Sequence, residues 1–69
     1  MKEMLESLVT EMVEKRILLD EALGVFEKKF IQTVLAQTKG NQSRAAEILG
    51  VHRNTLSRKI GMHKLNGKR

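Results

Sequence analysis

The 69-residue chain contains no proline, cysteine, tryptophan or tyrosine, and Phe26 and Phe30 are its only aromatic residues. Without proline, and with few β-branched runs, the composition suits an all-helical fold. Without cysteine there is no disulfide framework and no thiolate zinc site. His52 and His63, the only histidines, are eleven residues apart, so no metal site is expected. No apolar run approaches the ~20 residues that a membrane helix needs. Lys2, Glu3 and Glu6 interrupt the first apolar positions, so no secretory leader core is expected either. There is no nucleophile–base pair and no glycine-rich phosphate loop, and so short a chain encloses no pocket. An enzyme is therefore not expected, nor a cofactor, nor a small-molecule substrate.

What is present is uneven charge. The formal net charge is +5. Residues 1–34 carry five basic and seven acidic side chains, a net of −2, whereas residues 35–69 carry eight basic and one acidic, a net of +7. The second half is where a polyanion would dock.

The first half reads as two amphipathic helices. Met4, Leu5, Leu8, Val9, Met12 and Val13 recur at helical spacing, with Glu3, Glu6, Glu11 and Glu14 elsewhere on the wheel. This predicts a first helix over 2–15. Asp20 is the expected N-cap of a second helix over 20–38, whose buried stripe would comprise Leu23, Phe26, Phe30, Ile31, Val34 and Leu35. Gly24 costs about 1 kcal/mol inside a helix, so a close backbone approach is expected there. Lys39-Gly40 ends this helix, with Gly40 as the left-handed residue, and Asn41 caps the next.

The stretch Gly40–Ile60, GNQSRAAEILGVHRNTLSRKI, fits a helix-turn-helix. Numbering the motif from Gln42, Ala45 and Ala46 fall at the fourth and fifth positions, where two steeply crossed helices leave room only for small side chains. Gly50, at the ninth, permits the positive φ of the turn. Leu49, Val51 and Leu56 would clamp the two helices and dock them on a third. The expected helices are 42–49 and 52–60, with Gly61 stopping the last one and Met62–Arg69 forming a basic tail. The eighteenth position, usually apolar, is Lys59.

A second helix bearing Arg53, Asn54, Thr55, Ser57 and Arg58 is built to lie in a DNA major groove. Arg53 and Arg58 are candidate guanine readers. Asn54 and Thr55 suit bases, phosphates or helix capping. Asn41 and Ser43 sit where the amides of a helix N-terminus meet a phosphate. Lys39, Arg44 and Lys59 read as sequence-independent phosphate contacts. A protein-docking module with a basic surface, or an amphipathic element on anionic membrane, would share part of this charge pattern; steep loss of duplex affinity with salt separates them.

The segment Leu18–Ile60 resembles the Fis-type helix-turn-helix family through Phe26-Glu27-Lys28, Thr38, Gly40, Asn41, Ala45, Ala46, Leu49, Gly50, Val51, Arg53, Thr55 and Leu56. The Arg53-Asn54-Thr55-Leu56 run and the Phe-Glu element look more like the C-terminal domains of NtrC-type activators of sigma-54 promoters than like Fis itself. The resemblance implies four helices in an intertwined homodimer, with double-stranded DNA as the partner and a bacterial cytoplasmic location. His52 departs from the Asn of Fis at the start of the recognition helix. Ser57 departs from a basic residue.

The first helix has an apolar face with no home in a three-helix cluster, which points to pairing with a second chain; folding back as a fourth member of a monomeric bundle is the alternative. The expected organisation is thus 1–38 for dimerisation, 39–61 for the helix-turn-helix unit and 62–69 for the tail. The expected dimer contacts are Leu5, Leu8, Val9 and Met12 with Leu19, Leu23, Phe26 and Phe30. The expected DNA contacts are Asn41, Gln42, Ser43 and Arg44, followed by His52, Arg53, Asn54, Thr55, Arg58 and Lys59.

Overall fold

In the computed structural model, which describes residues 1–65, four helices follow one another: α1 (Lys2–Glu14), α2 (Leu19–Gln37), α3 (Gln42–Leu49) and α4 (Arg53–His63). There is no strand among the described residues, as an all-α reading expects. Asn66–Arg69, the end of the expected basic tail, lie outside the described residues.

The helix ends explain the boundaries. At the end of α3, Gly50 has φ +75°, and Val51 N–H reaches Ala46 C=O at 3.1 Å. A Cβ built on Gly50 would meet nothing, so it is the backbone angle that calls for glycine there. The end of α2 differs from expectation. Lys39 takes the first left-handed position at φ +55° and Gly40 the next at +85°. Gly40 N–H then bonds Leu35 C=O at 2.9 Å and Lys39 N–H bonds Ala36 C=O at 3.2 Å, the two hydrogen bonds of a Schellman end. Arg16 and Lys64 take the same role after α1 and α4. Among the described residues, all three left-handed non-glycine residues are cationic. Each places its charge at the negative end of a helix dipole, which offsets part of the conformational cost.

At its start α2 also differs. Its N-cap is Leu18, whose N–H donates to the Glu21 carboxylate at 3.3 Å, while Asp20 lies within the first turn and meets the positive helix end. The fourth helix runs past Gly61 to His63, because Leu65 folds back, its N–H bonding Ile60 C=O at 2.9 Å and its side chain packing on the core. Met62–Leu65 therefore complete α4 and its cap.

The core is small and lies where α2, α3 and α4 meet. Ile31, Val34, Ala45, Ala46, Leu56 and Ile60 are buried, with Leu35, Leu49 and Leu65 packed around them. Ala45 and Ala46 occupy the α3 face at the crossing, as the small-residue rule for this motif demands. Val51 remains partly exposed, so Leu49 and Leu56 supply most of the clamp.

The expected stripe of α2 divides in two. Ile31 and Val34 are buried, but Leu23, Phe26 and Phe30 stay half or more exposed along a groove shared with Leu49, Val51 and Leu56. The two phenyl rings pack on each other, with centroids 5.6 Å apart. No residue of α1 is buried, and only Met12 is half-buried, so α1 does not fold back on the other three. Gly24 is no close approach within the chain, since a Cβ there would meet nothing within 4 Å.

Gly61 lies inside α4 with the same free space. Gly61→Ala should therefore stabilise the free domain by about 1 kcal/mol, raising Tm by about 4–8 °C in a chain of this size. A thermal melt followed by circular dichroism checks this. An unchanged or lowered Tm would mean that α4 is not helical at that point.

Candidate nucleic-acid interface

Two capped helix starts organise the basic half of the molecule. The Asn41 side chain accepts from Arg44 N–H at 3.0 Å, the N-cap of α3. His52 is the N-cap of α4: its Nδ1 accepts from Asn54 N–H at 3.0 Å. With Nδ1 acting as acceptor, the proton of the neutral ring sits on Nε2. Such caps are worth about 1 kcal/mol each and fix where each helix begins.

These caps bring most of the expected DNA contacts to the surface. Asn41, Ser43 and Arg44 are exposed at the start of α3, and His52, Arg53, Asn54 and Arg58 are exposed on and before α4. Asn54, Arg58 and Gly61 share one face of α4 through their spacing of four and three, opposite buried Leu56 and Ile60. Gln42 and Thr55 are half-buried. The amide oxygen of Gln42 accepts from Ser57 Oγ at 3.5 Å, a long bond that ties the first turn of α3 to the middle of α4. Glu47 is the sole acidic side chain among residues 35–69. The exposed face is therefore basic and polar.

Lys59 is the exception. Its Nζ lies 2.7 Å from Glu27 Oε2, on the side of α4 that meets α2, with only a third of the side chain exposed. His63, one turn on, places Nε2 2.9 Å from Glu27 Oε1. Lys59, expected to meet phosphate, is thus engaged in a bridge between helices in the free chain. The signal was in the sequence: the eighteenth motif position is a core-side position, and a lysine there needs a carboxylate to accompany its stem inward. From sequence alone Glu27 stands out only as part of the Phe-Glu element.

The Lys59 hydrogen bond, and then that from His63, hold the Glu27 carboxyl below its ordinary value. A depressed folded-state pKa contributes stability that is present above the unfolded value and lost as pH falls through the folded one. Glu27→Gln should therefore lower Tm at pH 7, and the difference should close as pH falls through and below the ordinary carboxylate range. Melts of both proteins across that range test it. A difference that stays constant would exclude ionisation of Glu27 as the source.

No helix among the described residues is long and apolar enough to cross a membrane.

Comparison with known proteins gives the same picture. Residues 22–62 match the Fis family of bacterial regulatory proteins. A putative Fis-like DNA-binding protein of Ralstonia nicotianae is 41% identical over 46 residues, which cover 67% of this chain and 60% of that protein. The DNA-binding transcriptional regulator NtrC of Azospirillum brasilense is 46% identical over 43 residues, covering 62% of this chain and 9% of that protein. The DNA-binding protein Fis of Buchnera aphidicola subsp. Acyrthosiphon pisum is 38% identical over 45 residues, covering 65% of this chain and 46% of that protein. The matched segment thus spans between about a tenth and three fifths of these relatives. No solved structure gives a significant match. The match begins inside α2 and runs through the α3–α4 turn to Met62, the part of the molecule that holds the buried core and the capped basic face, so the chain belongs to the Fis family of bacterial regulatory proteins.

Proposed function

We propose that this chain binds double-stranded DNA sequence-specifically as a homodimer and serves transcription regulation in a bacterial cytoplasm. The observation that carries the reading is the set of exposed side chains on α4, Arg53 at its first turn and Asn54 and Arg58 on its outer face, which stand free of intramolecular side-chain partners among the described residues. Arg53 and Arg58 would read base edges in the major groove, and Asn41, Ser43 and Arg44 would meet flanking phosphates. The relatives' own names, which describe DNA-binding proteins, support the same assignment. No catalytic chemistry is assigned to the chain.

Within the family, the reading is the DNA-binding part of an NtrC-type activator. The identity to NtrC of Azospirillum brasilense, 46%, exceeds the 41% and 38% to the Fis-like and Fis proteins. A complete small Fis-like DNA-bending protein is the second reading, favoured by the larger share of the Ralstonia protein that the match covers. An in-frame ATPase segment upstream of this coding sequence decides between them. In a compact dimer, recognition helices held closer than the ~34 Å of one duplex turn would bend the DNA towards the protein.

Salt titration with a duplex is the primary test. Binding should weaken steeply as salt rises, by about 0.9 in log–log slope for each phosphate neutralised. Absence of duplex binding at low salt would sink the proposal. A finer test separates readers from phosphate contacts. Arg53→Ala should cost about 1–3 kcal/mol on the preferred site and relax its base preference, while Lys39→Ala should weaken all duplexes about equally. If Arg53→Ala changes neither affinity nor preference, Arg53 is no reader.

A further inference from the structure

The bridge from Glu27 to Lys59 and His63 has a place in the fold that stability alone does not explain. Among the described residues, its two bonds are the only side-chain hydrogen bonds joining α2 to α4. The other links described between α2 and α4 are apolar, through Ile31, Leu56, Ile60 and their neighbours, and an apolar contact sets distance better than rotation. One carboxylate takes two donors a turn apart on α4, with one oxygen for each at 2.7 and 2.9 Å. Two points four residues apart fix the roll and tilt of a helix where one point would leave it free to swivel. Glu27 itself sits on α2 beside Phe26, next to the exposed apolar residues expected to meet the second chain.

We propose that Glu27 is a positioning residue for DNA reading. It sets the angle of α4 against α2, and through α2 the separation and orientation of the two recognition helices in the dimer. The inference rests on the DNA-binding homodimer reading above. Glu27 touches no DNA in this account. It acts through α4, and its loss should leave sequence-independent binding in place while blurring the geometry that a two-part site demands.

The experiment measures affinity for duplexes carrying two copies of the preferred half-site at centre-to-centre spacings stepped one base pair at a time. The proteins are the wild type, Glu27→Gln, Lys59→Met, and Glu27→Lys alone and combined with Lys59→Glu. Circular dichroism at the assay temperature confirms that each is folded. Wild type should favour one spacing by about tenfold over its neighbours. Glu27→Gln and Lys59→Met should flatten that preference to about twofold or threefold, with affinity for random duplex and the salt slope unchanged. Glu27→Lys should flatten it too. The charge-reversed pair, which rebuilds the bridge in the opposite sense, should restore it.

Three results overturn the inference. The first is a spacing preference that survives Glu27→Gln. The second is a parallel loss of affinity on every duplex, which marks Glu27 as structural only. The third is a gain in random-duplex affinity with a steeper salt slope in Glu27→Gln, which would mean that Glu27 serves to keep Lys59 off phosphates. If wild type binds no duplex at all, the DNA reading itself falls, an outcome distinct from all three.

Discussion

Leu56→Ala should leave the domain unfolded or barely folded at 25 °C. Among the described residues, Leu56 is the largest side chain with no exposure, in a core of only six buried residues. Removing such a leucine costs about 2–5 kcal/mol, the upper end applying where neighbours cannot collapse into the space. Two of those neighbours are Ala45 and Ala46, which have no atoms to lend and lie on a helix crossing that fixes their backbones. A 69-residue domain has about 3–10 kcal/mol to lose in total. Leu56→Met, which keeps the volume, should cost less than about 1.5 kcal/mol. Urea unfolding at 10 °C compares the three proteins. A Leu56→Ala protein within 1 kcal/mol of wild type would show that the three-helix unit does not depend on this contact.

That core could be read from the sequence because the helix-turn-helix packs its constrained residues close together in the chain. Ala45, Ala46, Gly50 and Leu56 answer to local geometry: a crossing that admits only methyl groups, a left-handed turn, and a single apolar knob between two helices. Spacing within about a dozen residues encodes all three. The features that escaped the sequence depend on residues far apart. Glu27 and Lys59 meet across 32 positions, and no periodicity links them. The departure at Lys59 was visible, but its partner was not, since several glutamates were available on the first two helices. The split of the α2 stripe escaped for a similar reason. A run of apolar residues shows that a helix has an apolar face and does not show that the face is wide enough to serve two surfaces. Ile31 and Val34 turn to the chain's own core, whereas Leu23, Phe26 and Phe30 stay half or more exposed along the groove beside it. Helix ends were misplaced where a cation took a position normally given to glycine. Lys39 in the left-handed region is tolerated because two backbone hydrogen bonds and the helix dipole compensate it, and propensity alone does not reveal that.

Leu8→Glu distinguishes the two ways in which the outward apolar face could be used, and its expected effect depends entirely on which holds. Leu8 stands on α1 with Leu5, Val9 and Met12 at spacings of three, one and three, a single stripe of which only Met12 is even half-buried within the chain. In a monomer, glutamate for an exposed leucine on a helix changes stability by no more than about 0.5 kcal/mol, and glutamate is a good helix former. In the proposed dimer the same position faces the partner's apolar helices. A carboxylate placed there is taken out of water twice, once in each chain, with no cation among the stripe residues to receive it. Self-association should then weaken at least 100-fold, equivalent to about 2.8 kcal/mol at 1.4 kcal/mol per decade. The three-helix unit of α2, α3 and α4 should survive, because its core contains no residue of α1. Each Leu8→Glu chain would still meet a half-site through α4, but the second half-site would no longer be held nearby, so affinity for the full site should fall by a further 100-fold or more. Arg53→Ala, by contrast, should lower DNA affinity and leave self-association untouched. Equilibrium sedimentation at micromolar concentration, paired with binding to full and half sites, reads both quantities. If both wild type and Leu8→Glu sediment as monomers, the homodimer is wrong; if both sediment as dimers, the dimer forms without α1 and its contact surface lies elsewhere.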